Sequence, residues 1–205
     1  MSQYTHIRPK NKGTRALFSN PVLERLTRTN VAIPISLFGI LSIGLLYYAL
    51  AEEGLGALTT AGLFITGFLF FTLLEYLAHR YFFHMLPTNK VKAKVQYSVH
   101  GIHHEYPKDK DRLAMPPFIA LIYATILYFL FHFLLGDLVY GFLPGILMGY
   151  ATYLSIHYIV HAYQPPKNFL KVLWVHHGIH HYKDPEVAFG VTSPLWDYVF
   201  RTMPK

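Results

Sequence analysis

Ten of the chain's 13 histidines fall into four tight clusters: His79/His84, His100/His103/His104, His157/His161 and His177/His180/His181. Each cluster brings two or three imidazoles within reach of one point, and neutral imidazole ligates zinc, copper, iron and nickel. The pattern reads as a two-metal site. A lone H-x3-H is more often structural than metal-binding, but two copies of H-x2-H-H shift that balance, because exposed basic surface is ordinarily built from Lys and Arg. At about 100° per residue on an ideal helix, His157 and His161 project within about 40° of one another. They suit one metal or two adjacent ones. His79 and His84, about 140° apart on the same helix, are expected to serve different metals. In the two H-x2-H-H boxes, His100/His103 and His177/His180 share a face, while His104 and His181 point away and bridge to a neighbouring site. Of the other histidines, His6 has no evident partner, His132 reads as an interfacial or helix-packing residue, and His176 as a hydrogen-bond partner beside the last box.

These histidines need elements that carry them to one place. At 53% apolar and 17% aromatic, the 205-residue chain is rich for a soluble domain of ordinary size. The excess lies in four runs, about 31–51, 55–77, 116–135 and 138–160, each near the roughly 20 residues that cross a bilayer. The fold class expected is all-α and integral to a membrane. Its four transmembrane helices form two hairpins, and a cytoplasmic histidine-rich cap holds a dinuclear site. Residues 1–30 form a basic cytoplasmic segment and 31–205 a single membrane-embedded domain whose segments 78–115 and 161–205 carry the metal site.

Charge gives an independent test of topology. All 18 Lys and Arg lie before residue 31, between Arg80 and Arg112, or after Ala162, whereas the two short connections hold only Glu52, Glu53 and Asp137. By the positive-inside rule both termini and the middle loop face the cytoplasm, which gathers all four histidine clusters on one face. The formal net charge of +7 is then mostly topology. It suits an anionic leaflet, and no interleaved aromatic and basic stripe points to nucleic acid. With no cysteine, disulfides, thiolate ligands and iron–sulfur clusters are excluded from this chain. The segment 1–30 lacks the short apolar core of a cleaved signal, and residues 1–13 are expected to be loosely held.

Ligating imidazoles usually donate their second nitrogen to a carboxylate or carbonyl. Glu75, Glu105, Asp109, Asp184, Glu186 and Asp197 are the candidate carboxylates. Glu75 is the most telling, since an acid at the end of an apolar helix, one turn before His79, is costly without a role; it is a candidate member of the catalytic site. Tyr150, Tyr153 and Leu154 precede His157 at spacings that keep them near its face, and the two tyrosines are the candidate pocket wall, unless they belong to an interfacial aromatic belt. Ser193 before Pro194 reads as a helix start. The segment that follows presents Leu195, Trp196, Val199 and Phe200 as an apolar face that could lie in the interface over the site.

Longer motifs then carry a resemblance. The run His100-Gly101-Ile102-His103-His104-Glu105-Tyr106-Pro107-Lys108-Asp109, followed by Arg112-Leu113 and Pro116-Pro117, is one. The other is His180-His181-Tyr182 with Phe189-Gly190-Val191-Thr192-Ser193, Trp196-Asp197 and Phe200. Over roughly residues 55–202 the chain resembles the fatty acid hydroxylase superfamily of membrane histidine-box oxygenases, and within it the fatty acid 2-hydroxylases. The resemblance implies a dinuclear non-haem iron site held by the ten clustered histidines. Zinc can stand in its place as isolated, dioxygen is activated, and carbon 2 of an acyl chain, free or in a ceramide-like lipid, is hydroxylated. Many eukaryotic members carry an N-terminal cytochrome-b-type domain. Only 30 residues precede the first apolar run here, with no flavin or nicotinamide fingerprint, so electrons are expected from a separate ferredoxin or cytochrome drawn to the basic face. The compact form suggests a bacterial inner membrane ahead of the endoplasmic reticulum. Sterol or carotenoid oxidation is the enzymatic alternative, and a zinc-binding membrane protein without turnover is the other. A transporter fits poorly, because its sites should lie near the bilayer midplane.

Overall fold

In the computed structural model, which describes residues 7–205, every regular element is helical, and among the described residues there is no strand. His6 lies outside the described residues. A short α1 (Pro21–Leu26), capped by Asn20 with Pro21 opening its first turn, leads into α2 (Ala32–Ala51) and α3 (Ala57–Leu77). The helix of α3 continues as a wider π-turn over Ala78–Phe83. Next come α4 (Lys90–Gln96), a second π-turn over Tyr97–Gly101, and the single turn α5 (Ile102–Glu105). The chain then forms α6 (Pro117–Leu135), α7 (Val139–Ala162), α8 (Lys171–Tyr182) and the short α9 (Leu195–Val199).

Three stretches are long and apolar enough to cross a membrane: Ala32–Ala51, Ala57–Phe83 and Lys110–Ala162. The third is not one straight rod. Gly136 adopts φ 57°, a left-handed conformation that glycine alone takes freely, and there the chain folds back. Tyr128 then meets Tyr140 with their hydroxyls 3.0 Å apart, and the rings of Tyr123 and Tyr150 lie 6.3 Å apart, so α6 and α7 run antiparallel. Only 22% of each apolar window is buried within the protein. Ile40, Ile43, Leu58, Ile65, Ile126 and Phe133 all point outward, and such a surface is stable only where lipid covers it.

The core forms where α7 packs against α2 and α3, around Phe38, Phe71, Leu143, Ile146 and Leu147. Here α3 and α7 approach backbone to backbone. A Cβ on Gly145 would stand 2.1 Å from the Phe64 carbonyl oxygen, and one on Gly67 would stand 2.1 Å from that of Phe142. The small-residue repeat Gly141, Gly145, Gly149 is the signature of such close helix pairs in membranes.

The polar segments outside the apolar helices do not hang loose. The Lys10 amide donates to the Glu105 carbonyl at 2.6 Å and its ammonium pairs with the Glu105 carboxylate at 2.6 Å. Tyr182 donates to Asn11 at 2.8 Å. Further along, Arg112 pairs with Glu24, and Arg28 with Glu24 at 3.1 Å. Residues 10–28 thus form a strap across the histidine-bearing end, which corrects the expectation of a loosely held segment for residues 10–13; residues 1–6 lie outside the described residues. Opposite charges nearly a hundred residues apart make this strap, and sequence spacing does not reveal such pairs.

Candidate metal centre

All ten clustered histidines are buried, none more than 5% exposed. They converge as two groups of five, His79/His84/His100/His104/His180 and His103/His157/His161/His177/His181, with the ligand atoms of each group within 4.8 Å of one another. Three of the four boxes are as expected in position but divided otherwise than the helical angles suggest. His79 and His84 belong to one group, not two. The π-turn between them carries an i→i+5 hydrogen bond, His84 N to His79 O at 3.2 Å, and such a turn brings residues five apart onto one side. In the two H-x2-H-H boxes it is the residues four apart that share a group, His100 with His104 and His177 with His181, while His103 and His180 go to the opposite group. Four residues subtend about 40° on a helix and three about 60°, so the four-apart pair is the better aligned. His157 and His161 serve one group.

The Nε2 atoms face one another in pairs: His79 and His100 at 3.1 Å, His100 and His104 at 3.0 Å, His84 and His180 at 3.0 Å. In the second group His103 and His157 stand at 2.9 Å, and His161 and His177 at 2.8 Å. Two nitrogens bound at right angles to one ion, with bonds of about 2.1 Å, lie roughly 3 Å apart. The donor set therefore fits a metal ion in each group. The tautomers agree. His79 Nδ1 donates to the Phe189 carbonyl at 2.5 Å and His180 Nδ1 to the Val187 carbonyl at 2.8 Å, which leaves each Nε2 with its lone pair turned to the centre. Neither nitrogen of buried His181 has a protein partner, and an ion would satisfy one of them. Burial first, then the neighbouring imidazoles, hold His100, His103, His177, His180 and His181 well below the usual histidine pKa, and His84 likewise. Neutral imidazole is the ligating form.

The expected carboxylates take other partners. Glu75 is buried, but it accepts from Val191 N at 2.6 Å, Thr192 N at 2.9 Å and the Thr192 hydroxyl. Glu105 is held by Lys10 and by Tyr97 at 2.5 Å. Asp109 faces Arg28 and Arg112, and Asp184 accepts from Glu186 N at 2.9 Å. Asp197, fully buried, receives His176 Nε2 at 3.0 Å, so His176 is a partner of an acid and not of the two groups. The roles expected of carboxylates at His79 and His180 fall to the backbone carbonyls of Phe189 and Val187; Phe189 opens the second motif of the sequence, but a carbonyl's part in it is not written in the residue type.

Tyr153 stacks on the His157 ring at 5.4 Å with an interplanar angle of 13°, and Tyr150 stacks on Tyr153 at 5.8 Å. The two make a column leading from the second group into the apolar bundle, where Tyr150 meets Phe38 and Phe71. Ser193 accepts from Leu195 N at 3.2 Å and α9 begins one residue later than expected. Leu195 and Val199 of α9 are exposed, while the Trp196 indole donates to Thr72 at 2.9 Å. His132 stacks on Tyr128 at 5.6 Å, on the hairpin turn away from both groups. Beside the second group a cavity of about 230 Å³ is lined by Lys108, His161, Trp174, His177 and His181.

Comparison with known proteins bears on this centre. A family model described as fatty acid hydroxylase matches residues 64–202. The ceramide very long chain fatty acid hydroxylase scs7 of Schizosaccharomyces pombe is 37% identical, over 94% of this chain and 56% of its own length. Fatty acid 2-hydroxylase of Rattus norvegicus is 38% identical over 69% of this chain and 39% of its own length, and dihydroceramide fatty acyl 2-hydroxylase FAH2 of Arabidopsis thaliana is 35% identical over 91% and 79%. This chain thus spans about half the length of the first two. A solved structure titled full length scs7p, with only the hydroxylase domain visible, superposes with a TM-score of 0.85 at 34% identity, covering 95% of this chain and 74% of that one.

Proposed function

The chain belongs to the fatty acid hydroxylase family, and from that premise we propose that it is a fatty acid 2-hydroxylase acting on carbon 2 of an acyl chain in a ceramide-like lipid or as the free acid. The observation that carries the reading is the pair of buried five-histidine groups, whose ligand atoms fit two ions, with a cavity of about 230 Å³ beside the second group. The relatives' names supply the substrate class. In this reading the ten histidines hold two iron ions, with zinc able to occupy the same ligands. The bound metals supply dioxygen activation, and the protein supplies placement, a dry pocket and chain alignment.

Each part of the chain then has a task. Tyr150 and Tyr153 line the path by which the acyl tail leaves the second histidine group for the bundle. The apolar face of α9 covers the interface beside it. We read α2, α3, α6 and α7 as four membrane spans in two hairpins, with the histidine-bearing end, both termini and the strap on the cytoplasmic side, where the basic residues lie. Residues 31–205 work as one hydroxylase domain. Electrons come from a separate ferredoxin or cytochrome-b-type protein steered by the basic surface. The relatives named above are fungal, mammalian and plant proteins, which supports an endoplasmic-reticulum membrane and lends nothing to the bacterial inner membrane expected from compactness.

The test is expression in a host without 2-hydroxy lipids, with a reductase system supplied and hydrolysed lipids read by mass spectrometry beside the His103→Ala variant. Mutant-sensitive 2-hydroxy fatty acids are the expected result. Their absence from iron-loaded, reducible protein would move the reaction to a sterol, carotenoid or other lipid.

A further inference from the structure

Four successive amides in the segment after α8, those of Phe189, Gly190, Val191 and Thr192, are all received by two buried carboxylates. Asp197 Oδ1 accepts Phe189 N at 2.8 Å and Oδ2 accepts Gly190 N at 2.7 Å. Glu75 Oε1 accepts both Val191 N at 2.6 Å and Thr192 N at 2.9 Å. Each acid is further satisfied: Asp197 by His176 and by the Thr202 hydroxyl at 2.7 Å, Glu75 by the Thr192 hydroxyl. A buried carboxylate is costly unless its oxygens are filled in this way, and two of them spent on six residues of irregular backbone need a reason.

The other side of the same backbone supplies one. The carbonyls of Val187 and Phe189 receive the Nδ1 protons of His180 and His79. Both histidines belong to the first group. The backbone has no room to drift, because a Cβ on Gly190 would stand 2.2 Å from the Ser193 carbonyl and 2.8 Å from Asp197 Oδ2. In the second group the corresponding support is sparse. His157 Nδ1 reaches the Leu113 carbonyl only at 3.4 Å, and the Nδ1 atoms of His103, His177 and His181 have no protein partner.

We propose that Glu75 and Asp197 are positioning carboxylates, which clamp residues 187–192 so that two of its carbonyls fix the tautomer and aim of His79 and His180 and make the first histidine group the tighter of two unequal metal sites. The proposal rests on the reading that both groups hold metal. Partners of ligating histidines commonly change metal affinity by about 10- to 100-fold, and that is the size expected here, confined to one site.

The test uses zinc-loaded full-length protein in detergent, challenged with graded chelator, with zinc per chain counted and helicity checked by circular dichroism. Two backgrounds separate the sites: His161→Ala leaves the first group whole, and His84→Ala leaves the second. In the first background Glu75→Ala lowers zinc affinity about 10- to 100-fold. Glu75→Gln restores most of it, since one amide oxygen can still receive both backbone amides. Asp197→Asn does not, since its two backbone amides use two different oxygens. In the second background all three variants leave affinity unchanged. Equal losses in both backgrounds, or Glu75→Gln as damaging as Glu75→Ala, would overturn the clamp. Should Glu75→Ala lose its helicity, the contrast between Glu75→Gln and Asp197→Asn decides the matter alone. Unmutated protein that holds no zinc or iron at all would sink the two-metal reading, whereas two ions released without site selectivity would sink only this inference.

Discussion

The two histidine groups are built from the same residue type at the same count, yet they are supported differently. The first takes its ligand atoms from the two π-turns and α5, with one from α8, and its ring protons at His79 and His180 go to a pinned backbone segment. The second draws mainly on α7 and α8, has three Nδ1 atoms without protein partners, and borders both the tyrosine column and the 230 Å³ cavity. Both are equally buried; one leans on that backbone segment, and the other stands beside the column and the cavity. On the clamp proposed above, equal ligand sets do not make equal sites, and the difference lies in what holds the imidazoles.

The strongest way to break this contrast is to remove one ligand from each group. His180→Ala and His103→Ala should each reduce activity to background, and each should cost the ion of its own group first, as metal counting per chain will show. Full metal loading in both would overturn the ligand assignment, and His132→Ala should change neither quantity. A smaller effect is expected from Gly145→Val, whose side chain would collide with the Phe64 carbonyl and part α7 from α3. Overpacking of this kind costs about 1–3 kcal/mol, seen as a lower melting temperature in detergent, and it should loosen the second group, which rides on α7, before the first.

Tyr153→Ala leaves ligands and clamp intact while opening the wall beside His157. Activity should fall about tenfold, some 1.4 kcal/mol in barrier, with metal content unchanged; a parallel loss of metal would make Tyr153 a support of His157 instead. The least effect concerns the strap that covers the first group through Lys10 and Glu105. Burial pushes the Glu24 carboxyl up, but amides of Leu17 and Phe18 and the guanidinium groups of Arg112 and Arg28 outweigh it and hold its pKa below the ordinary 4.5. A carboxyl depressed on folding stabilises fully above its unfolded value, and the contribution is lost as pH falls through the folded one. Amide exchange in residues 14–28 should therefore quicken only below about pH 4, and unchanged protection there would show that Glu24 does not hold the strap.

Much of this molecule was legible in the order of its residues. Apolar runs of bilayer length give α2, α3, α6 and α7 to within two residues at each end, because burial in lipid leaves no other composition free. The meeting of ten histidines at one end followed from the same runs. Their division did not, since a π-turn adds a residue without leaving a mark in the spacing, and His79 and His84 looked misaligned on an ideal helix. Glu75 announced itself as an expensive acid, but its partners lie 116 and 117 residues away in backbone amides, which have no letter in the sequence. The approach of α3 to α7 was written in Gly141, Gly145 and Gly149 and went unread among so many apolar neighbours.

In two places, His103/His104 and His180/His181, consecutive residues serve opposite groups. A single peptide unit is thus the ruler between the two centres at both points. Neither box can rotate to improve one centre without spoiling the other, and one residue gained or lost inside a box would exchange the allegiance of everything beyond it. Length variation among related chains should therefore gather between the boxes, in turns such as 164–170, and be absent within them.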